Sequence, residues 1–373
     1  MTFEGLIDGG VFCQDMGNLK VRFCQAETVV RFIIIDAVGA EVSRFDEVYY
    51  PNANNELVIA GLADLMASYL EGERLEQLFN PAQAYTVMNS FARLKLEFYQ
   101  NGAKVDECYQ VFYSSNNRTG VFPTNYNYFL SRFRSREVHP EQVLFLAYIY
   151  RGQTLQVGVA YYQANGRSAY RVHELNVSGV ANEKTCLHQY LPSDLAHLCG
   201  VEVERLIYLD FNLKLDGVTI DRMRFEIIHE HCKQKTAFLF KNLFGVPEMV
   251  VMTGVDKRTS ELEASFSWLN RKYKKTSTDL TTSHTICTGY IDKETQESVK
   301  DAIRSNEVWM VDGVRLIDMV TVTDIKLDAE LPRTSPMLAY ITYRVSEKVQ
   351  EKFSRVGDRD GRIFDDTFDD SFE

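Results

Sequence analysis

The chain's clearest pattern is a two-residue alternation of apolar and polar positions. Met223, Phe225 and Ile227 alternate with Arg222, Arg224 and Glu226. A strand has a side-chain period of two, so this run predicts an antiparallel strand buried on one face. Runs of this kind are joined by Asn-Gly and Asp-Gly pairs, which supply the positive φ angles of tight hairpin turns. Asn101-Gly102 links RLKLEFYQ to AKVDECYQVFY, and Asn165-Gly166 links TLQVGVAYYQ to RSAYRVHEL. Asp216-Gly217 links RLIYLDFNLKL to VTIDRMRFEIIHE, and Asp312-Gly313 links EVWMV to VRLIDMVTV. Four hairpins are therefore expected. The continuous run RFIIID predicts a strand buried on both faces.

Helical periodicity is sparse. In GLADLMASYLEG, Leu62, Leu65, Met66, Tyr69 and Leu70 fall on one stripe. In DKETQESVKDAIRSN, Asp292 is a candidate N-cap, with Val299, Ala302 and Ile303 as a narrow apolar face. PSDLAHLCG reads as one or two turns ended by Gly200. Nothing alternates strands with long helices, which argues against a parallel α/β sheet. The expected fold class is mainly β: several antiparallel β-sandwich or β-barrel-like domains with a few short helices, and α+β character in the C-terminal domain.

A length of 373 residues exceeds one core and favours two or three domains. The pattern divides into an N-terminal β-sandwich domain (1–115), an Arg/aromatic connector (116–142) and a small β domain (143–205). A C-terminal β-rich domain (206–355) with one helix near 292–305 follows, and then an acidic Phe-Asp tail (356–373).

Charge narrows the function classes. The net charge of −11 argues against a nucleic acid partner, which needs a basic footprint. The 23 Phe and 20 Tyr suit half-buried sheet surfaces. Seven cysteines without a CxxC spacing read as reduced thiols. The N-terminal MTFEGLIDGGVFCQDMGN has acids and glycines where a secretion leader carries bases and an apolar run, so synthesis in the cytoplasm is expected. No apolar stretch of about 20 residues occurs, so no membrane span is expected.

Catalytic motifs are missing. The sequence has no Walker loop, no GxGxxG after a strand, no GxSxG elbow and no HExxH, so no cofactor and no enzyme activity are expected. The best metal cluster is His229-Glu230-His231-Cys232, which Cys186 and His188 would have to complete. It also reads as the polar side of an alternating strand. Asp210, Asp216 and Asp221 flank one hairpin, where turn chemistry accounts for them without a glycosidase pair.

Two segments carry candidate contact residues. In the connector, Tyr126, Tyr128, Phe129 and Phe133 interleave with Arg118, Arg132, Arg134 and Arg136. Tyr and Arg are enriched at interfaces. With this net charge the pattern fits a protein interface, or a seam between domains, better than base stacking. In the tail, Phe364, Phe368 and Phe372 recur every four residues among Asp365, Asp366, Asp369, Asp370 and Glu373. This is either a solvated acidic tail or a docking peptide, and the spacing of four aligns the rings on a helix or on a strand. Each inserted phenylalanine would contribute on the order of 1.5–3 kcal/mol if fully covered.

YYPNANNELVIAGLADLMASYL, NYNYFLSRFRSREVHPEQVLFLAYIY, FLFKNLFGVPEM and ITYRVSEK with RIFDDTFDDSFE together resemble tail or baseplate-type virion structural proteins of phages and prophages of gut anaerobes. The resemblance implies a β-rich virion component, assembled in the host cytoplasm with copies of itself and other virion proteins. No long coiled coil or fibre repeat is present, so a tail-tip, adaptor or baseplate unit fits better than a fibre shaft. Two alternatives stay open. One is a module binding host-surface carbohydrate through exposed rings, for which Trp268 and Trp309 are the tryptophans. The other is a hydrolase whose site is assembled from distant residues.

Overall fold

The computed structural model describes residues 1–24, 26–70, 73–88, 90–116, 118–120, 128–175, 183–229, 235–269, 272–289, 291, 293–327 and 338–345. The described chain is mainly β, with few helices, and none of its sheets closes into a barrel. The sandwich expectation therefore holds at the level of class, and the barrel-like alternative does not.

The N-terminal part contains β1 (Thr2–Glu4), β2 (Val11–Phe12), β3 (Leu19–Arg22), β4 (Thr28–Ile35), β5 (Glu41–Tyr49) and β6 (Glu56–Ile59). Helices α1 (Leu62–Tyr69) and α2 (Leu75–Leu78) follow, then β7 (Tyr85–Met88), β8 (Phe91–Gln100) and β9 (Ala103–Tyr113). A three-stranded sheet β1-β3-β6 faces a five-stranded sheet β2-β9-β8-β4-β5. Leu19, Val21, Leu57 and Ile59 meet Val30, Phe32, Ile34, Leu94, Leu96 and Phe98 in one core, which α1 closes with Leu62, Met66 and Leu70. Tyr69, placed on that apolar stripe by its spacing, is instead exposed and donates to Ser43 Oγ. In β4, Arg31 and Ile35 are only half-buried, so RFIIID is covered fully on one face alone.

The second part contains β10 (Ser135–Val138), β11 (Leu144–Ile149), β12 (Thr154–Tyr162), β13 (Ser168–Leu175), β14 (Thr185–Tyr190), α3 (Pro192–Leu198), β15 (Leu206–Leu215) and β16 (Val218–Ile227). The sheet β10-β16-β15-β12-β13 packs on the sheet β11-β14-β7. Strands β15 and β16 lie beyond the boundary expected near residue 205. They belong to this sandwich because β15 pairs along β12 from Leu206–Tyr161 to Lys214–Thr154. Strand β7 likewise leaves the N-terminal part to pair with β14. Two pairings, β10 with β16 and β2 with β9, are parallel, which the antiparallel expectation omits.

The C-terminal part contains β17 (Thr236–Lys241), β18 (Pro247–Met252), β19 (Asp256–Leu269), β20 (Lys272–Cys287), α4 (Lys293–Arg304), β21 (Val308–Asp312), β22 (Arg315–Leu327) and β23 (Ala339–Val345). They form one sheet, β18-β17-β21-β22-β23-β20-β19. Val299 and Ala302 of α4 pack on Phe238, Phe240, Val250 and Tyr343. All four expected hairpins are present. Asn101 and Asp216 take the left-handed conformation with their following glycines, as two-residue turns require.

All six residues of β11 are buried. Leu144, Leu146 and Tyr148 point into the core shared with β12, β15 and β16. Phe145, Ala147 and Ile149 point into a second core, with Phe91 and Tyr113 of the N-terminal part and Leu239, Met249 and Val311 of the C-terminal part. The central sheet is thus the filling between three blocks. A buried Leu→Ala or Phe→Ala change there opens a cavity costing about 2–5 kcal/mol.

Candidate functional site

The connector is built into this junction. Its successive residues Phe129 and Leu130 enter different cores, Phe129 that of the second sandwich and Leu130 the central one. The Phe129 N–H donates to Asp221 Oδ2 at 2.8 Å, and Arg134 Nη1 donates to the same oxygen at 2.9 Å. Arg132 pairs with Glu297 at 3.2 Å and Asp301 at 3.6 Å, both on α4. Arg136, 8% exposed, donates from Nη1 to Glu248 Oε1 at 3.0 Å, with its guanidinium over the rings of Phe133 and Phe225.

Glu248 on β18 is the hub of this seam. Ser298 Oγ donates to its Oε1 at 2.6 Å, and Asn242 Nδ2 donates to its Oε2 at 3.0 Å. A buried charge pair is tolerated when the remaining lone pairs are also satisfied, and removing one partner costs about 3–5 kcal/mol. Burial pushes the Asp301 carboxyl up to about 6, against the pull of Arg132. Among the expected contact residues, Phe129, Arg132, Arg134 and Arg136 are thus engaged within the chain. Tyr128 lines a surface cavity of about 370 Å³ with Arg132, Arg134 and Phe244. Tyr126 and the tail residues Phe364, Asp365, Phe368, Asp369 and Phe372 lie outside the described residues.

Among the described residues, the candidate metal ligands do not come together. His229 is exposed, and its Nε2 lies 2.8 Å from the Leu206 carbonyl oxygen. Glu230, His231 and Cys232 lie outside the described residues, among which no three His, Cys, Asp or Glu gather to hold a metal. His188 and Cys186 sit inside the second sandwich. His188 Nε2 is 3.2 Å from Tyr148 Oη and 3.4 Å from Cys186 Sγ, and its Nδ1 is 3.0 Å from Tyr190 Oη. Both tyrosine rings stack on the imidazole. Burial pushes His188 down to about 3 and Cys186 up to about 12. A protonated thiol is a poor nucleophile and a poor ligand, so this Cys-His contact is packing. A groove of about 760 Å³ is lined by Leu191, Val203, Ile228, His229 and Val314 together with Glu141 and Asp312.

The outer face of the second sandwich carries a cluster that the sequence did not single out. The Tyr170 ring lies across Gly158, where any Cβ would collide with it. Tyr208 stands beside it with ring centroids 6.4 Å apart, and the Arg224 guanidinium lies 4.0 Å over the Tyr208 ring. Arg224 forks onto Asp210 at 2.7 and 3.0 Å, and Arg222 donates to Asn212 at 2.9 Å. Alternation in β16 points to these arginines. The matching tyrosines come from β13 and β15, and only the pairing register brings them together. Trp309 is half-buried against the central core, with its indole N–H on Glu307, and does not join this face.

No protein-family model matches the chain. No curated protein matches it either. Chains of solved structures do, among them the surface glycan-binding protein SGBP-B of the Bacteroides ovatus mixed-linkage glucan utilization locus, in complex with a mixed-linkage heptasaccharide. The identity is 11% over 74% of this chain and 66% of that one, with a TM-score of 0.15. The chain therefore spans just under two thirds of that structure's length. So slight a likeness carries no weight for fold or function.

His188 and Asp301 predict opposite pH effects. His188 has a folded-state value below its unfolded 6.5, so its contribution is complete above pH 6.5 and is lost as pH falls toward 3. Asp301 is raised from 3.8, so its contribution is complete below pH 3.8 and is lost as pH rises through 6. Urea denaturation between pH 7 and 4 should show the stability gap between wild type and His188→Asn shrinking by at most about 1.4 kcal/mol per pH unit. The gap to Asp301→Asn should move the other way. Parallel curves would contradict both assignments.

Proposed function

We propose that this chain is a non-enzymatic structural protein of a virion, made in the host cytoplasm. In this reading it works as a tail-tip, adaptor or baseplate component by assembling with copies of itself and with other virion proteins. The observation that carries the reading is the β19–β20 hairpin. The two strands pair from Asp256–Ile286 to Leu269–Lys272, yet β23 pairs with β20 only over His284–Cys287. Among the described residues, no third strand joins the twelve positions Lys272–Ser283, a ribbon of about 40 Å at ~3.3 Å per residue. A two-stranded ribbon is marginal in water on its own, and its open edges are templates for another chain. An arm of this kind is suited to subunit contacts.

Light scattering tests the reading on the full chain and on a variant with residues 259–283 replaced by Asn-Gly, which keeps the Arg258–His284 register. A closed oligomer that becomes a monomer in the variant is expected. A monomer in both would overturn it.

A second reading, a carbohydrate-binding module, is favoured by the Tyr170–Tyr208 face. Its rings offer stacking surface to a sugar, and the Arg222 and Arg224 guanidinium groups offer donors to hydroxyls. A glycan array should then give a signal that Tyr170→Ala abolishes. An empty array would remove this reading.

A further inference from the structure

Strand β5 is an outer strand of the five-stranded sheet β2-β9-β8-β4-β5. It is nine residues long, and among the described residues only β4 pairs with it. Edge strands of monomers are kept short or shielded, because their unpaired N–H and C=O groups invite another strand. This one is long, and it carries Val42 and Val48 at 49% and 52% exposure.

The register with β4 sorts its side chains. Ser43, Phe45 and Glu47 stand opposite Ile34, Phe32 and Val30, which are buried in the core. Phe45 stacks on Phe32 with ring centroids 4.8 Å apart, and it stays only partly buried because the sheet stops at this strand. Arg44, Asp46 and Val48 stand opposite Ile33, Arg31 and Val29 on the outer face. Arg44 and Asp46 are both exposed, although Glu41 holds the first and Arg31 the second within the chain. A guanidinium has five N–H donors and a carboxylate about four lone-pair sites, so each keeps capacity for a further partner.

Read in reverse, this edge is complementary to itself. Residues opposite each other in an antiparallel pair lie on the same face, so a two-fold axis relating two copies of β5 must pass through a residue and not between two. With the axis at Phe45, Arg44 of each copy faces Asp46 of the other. Ser43 faces Glu47, Val42 faces Val48, and the two Phe45 side chains meet. An axis at Arg44 would set two arginines face to face, and one at Asp46 two aspartates. Like charges directly opposite are destabilising. The bulge in β5, where the register slips from Ile34–Ser43 to Ile35–Glu41, lies at Val42, so the regular part of the pair runs from Ser43 to Glu47.

We propose that β5 pairs antiparallel with β5 of a second copy of this chain, about a two-fold axis at Phe45, and joins the two five-stranded sheets into one. Such an isologous contact uses the same patch on both partners. The two Phe45 rings cover the open ends of the two cores. A single strand pair belongs to the small, transient class of interfaces, under ~1,200 Å², so it adds to contacts that gather the copies by other means. The inference thus rests on the reading that the chain assembles with itself, and it specifies one of the surfaces used.

The test is oxidative cross-linking of the full chain carrying V42C/V48C, with the linked peptides identified by mass spectrometry. Both positions are about half exposed, and an unfolding midpoint close to wild type under reducing conditions checks that the body is intact. Within one chain they lie six positions apart on one strand, about 20 Å, beyond the ~7 Å between Cα atoms that a disulfide allows. A 42–48 link therefore joins two copies. It is expected as the dominant link, and its yield should fall several-fold when Arg44→Glu is added, which sets acid against acid. Links 42–42 and 48–48 in its place would mark a parallel pair and overturn the proposal. So would a yield of 42–48 links no higher than chance collision gives in denaturant. Assembly itself is read by light scattering, so a closed oligomer without 42–48 links sinks this contact and leaves the assembly reading standing.

Discussion

Everything else in the molecule hangs on β11, a strand with no solvent face. β11 spends three side chains on the second sandwich and three on the junction with the N-terminal and C-terminal parts. A strand covered on both sides must be apolar throughout, and LFLAYI is. Around it, the seam centred on Glu248 satisfies the polar groups that the junction traps. Arg136 reaches it from the connector, Asn242 from the turn before β18 and Ser298 from α4. Apolar burial supplies most of the attraction between the parts, while these charge-assisted bonds fix how they meet.

A body fastened in this way leaves its chemistry at the periphery. The buried His188 and Cys186 are held in their neutral forms. Among the described residues, the tyrosine-arginine face points outward, with Tyr170 about half exposed. The outer face of the N-terminal sandwich carries ion pairs across strands, Arg31 with Asp46, Lys95 with Glu107 and Lys104 with Glu97, and within them, Lys95 with Glu97 and Lys104 with Glu107. Such a lattice of charge suits a face in contact with water.

The local grammar of the fold was legible in the sequence. The Asn-Gly and Asp-Gly turns, the alternation of β16 and the apolar faces of α1 and α4 depend on neighbours within a few residues. The parts that depend on distant partners were not. RFIIID and LFLAYI look alike as strings, and only the second has a block on each side. The connector's arginines read as an interface because their acids, Asp221, Glu248, Glu297 and Asp301, lie 87 to 169 residues downstream. The tyrosine face was hidden for the same reason, since Tyr170 and Tyr208 meet only through the register of β12 with two different strands. Helix α2, at four residues, is too short for periodicity to declare it.

Differential scanning calorimetry of the full chain tests most directly whether the central sheet makes the three parts one cooperative unit. A single transition is predicted, with calorimetric and van't Hoff enthalpies equal, and Leu146→Ala and Phe145→Ala should each lower it as a whole. Two or more resolved transitions, with either substitution moving only one of them, would contradict the account.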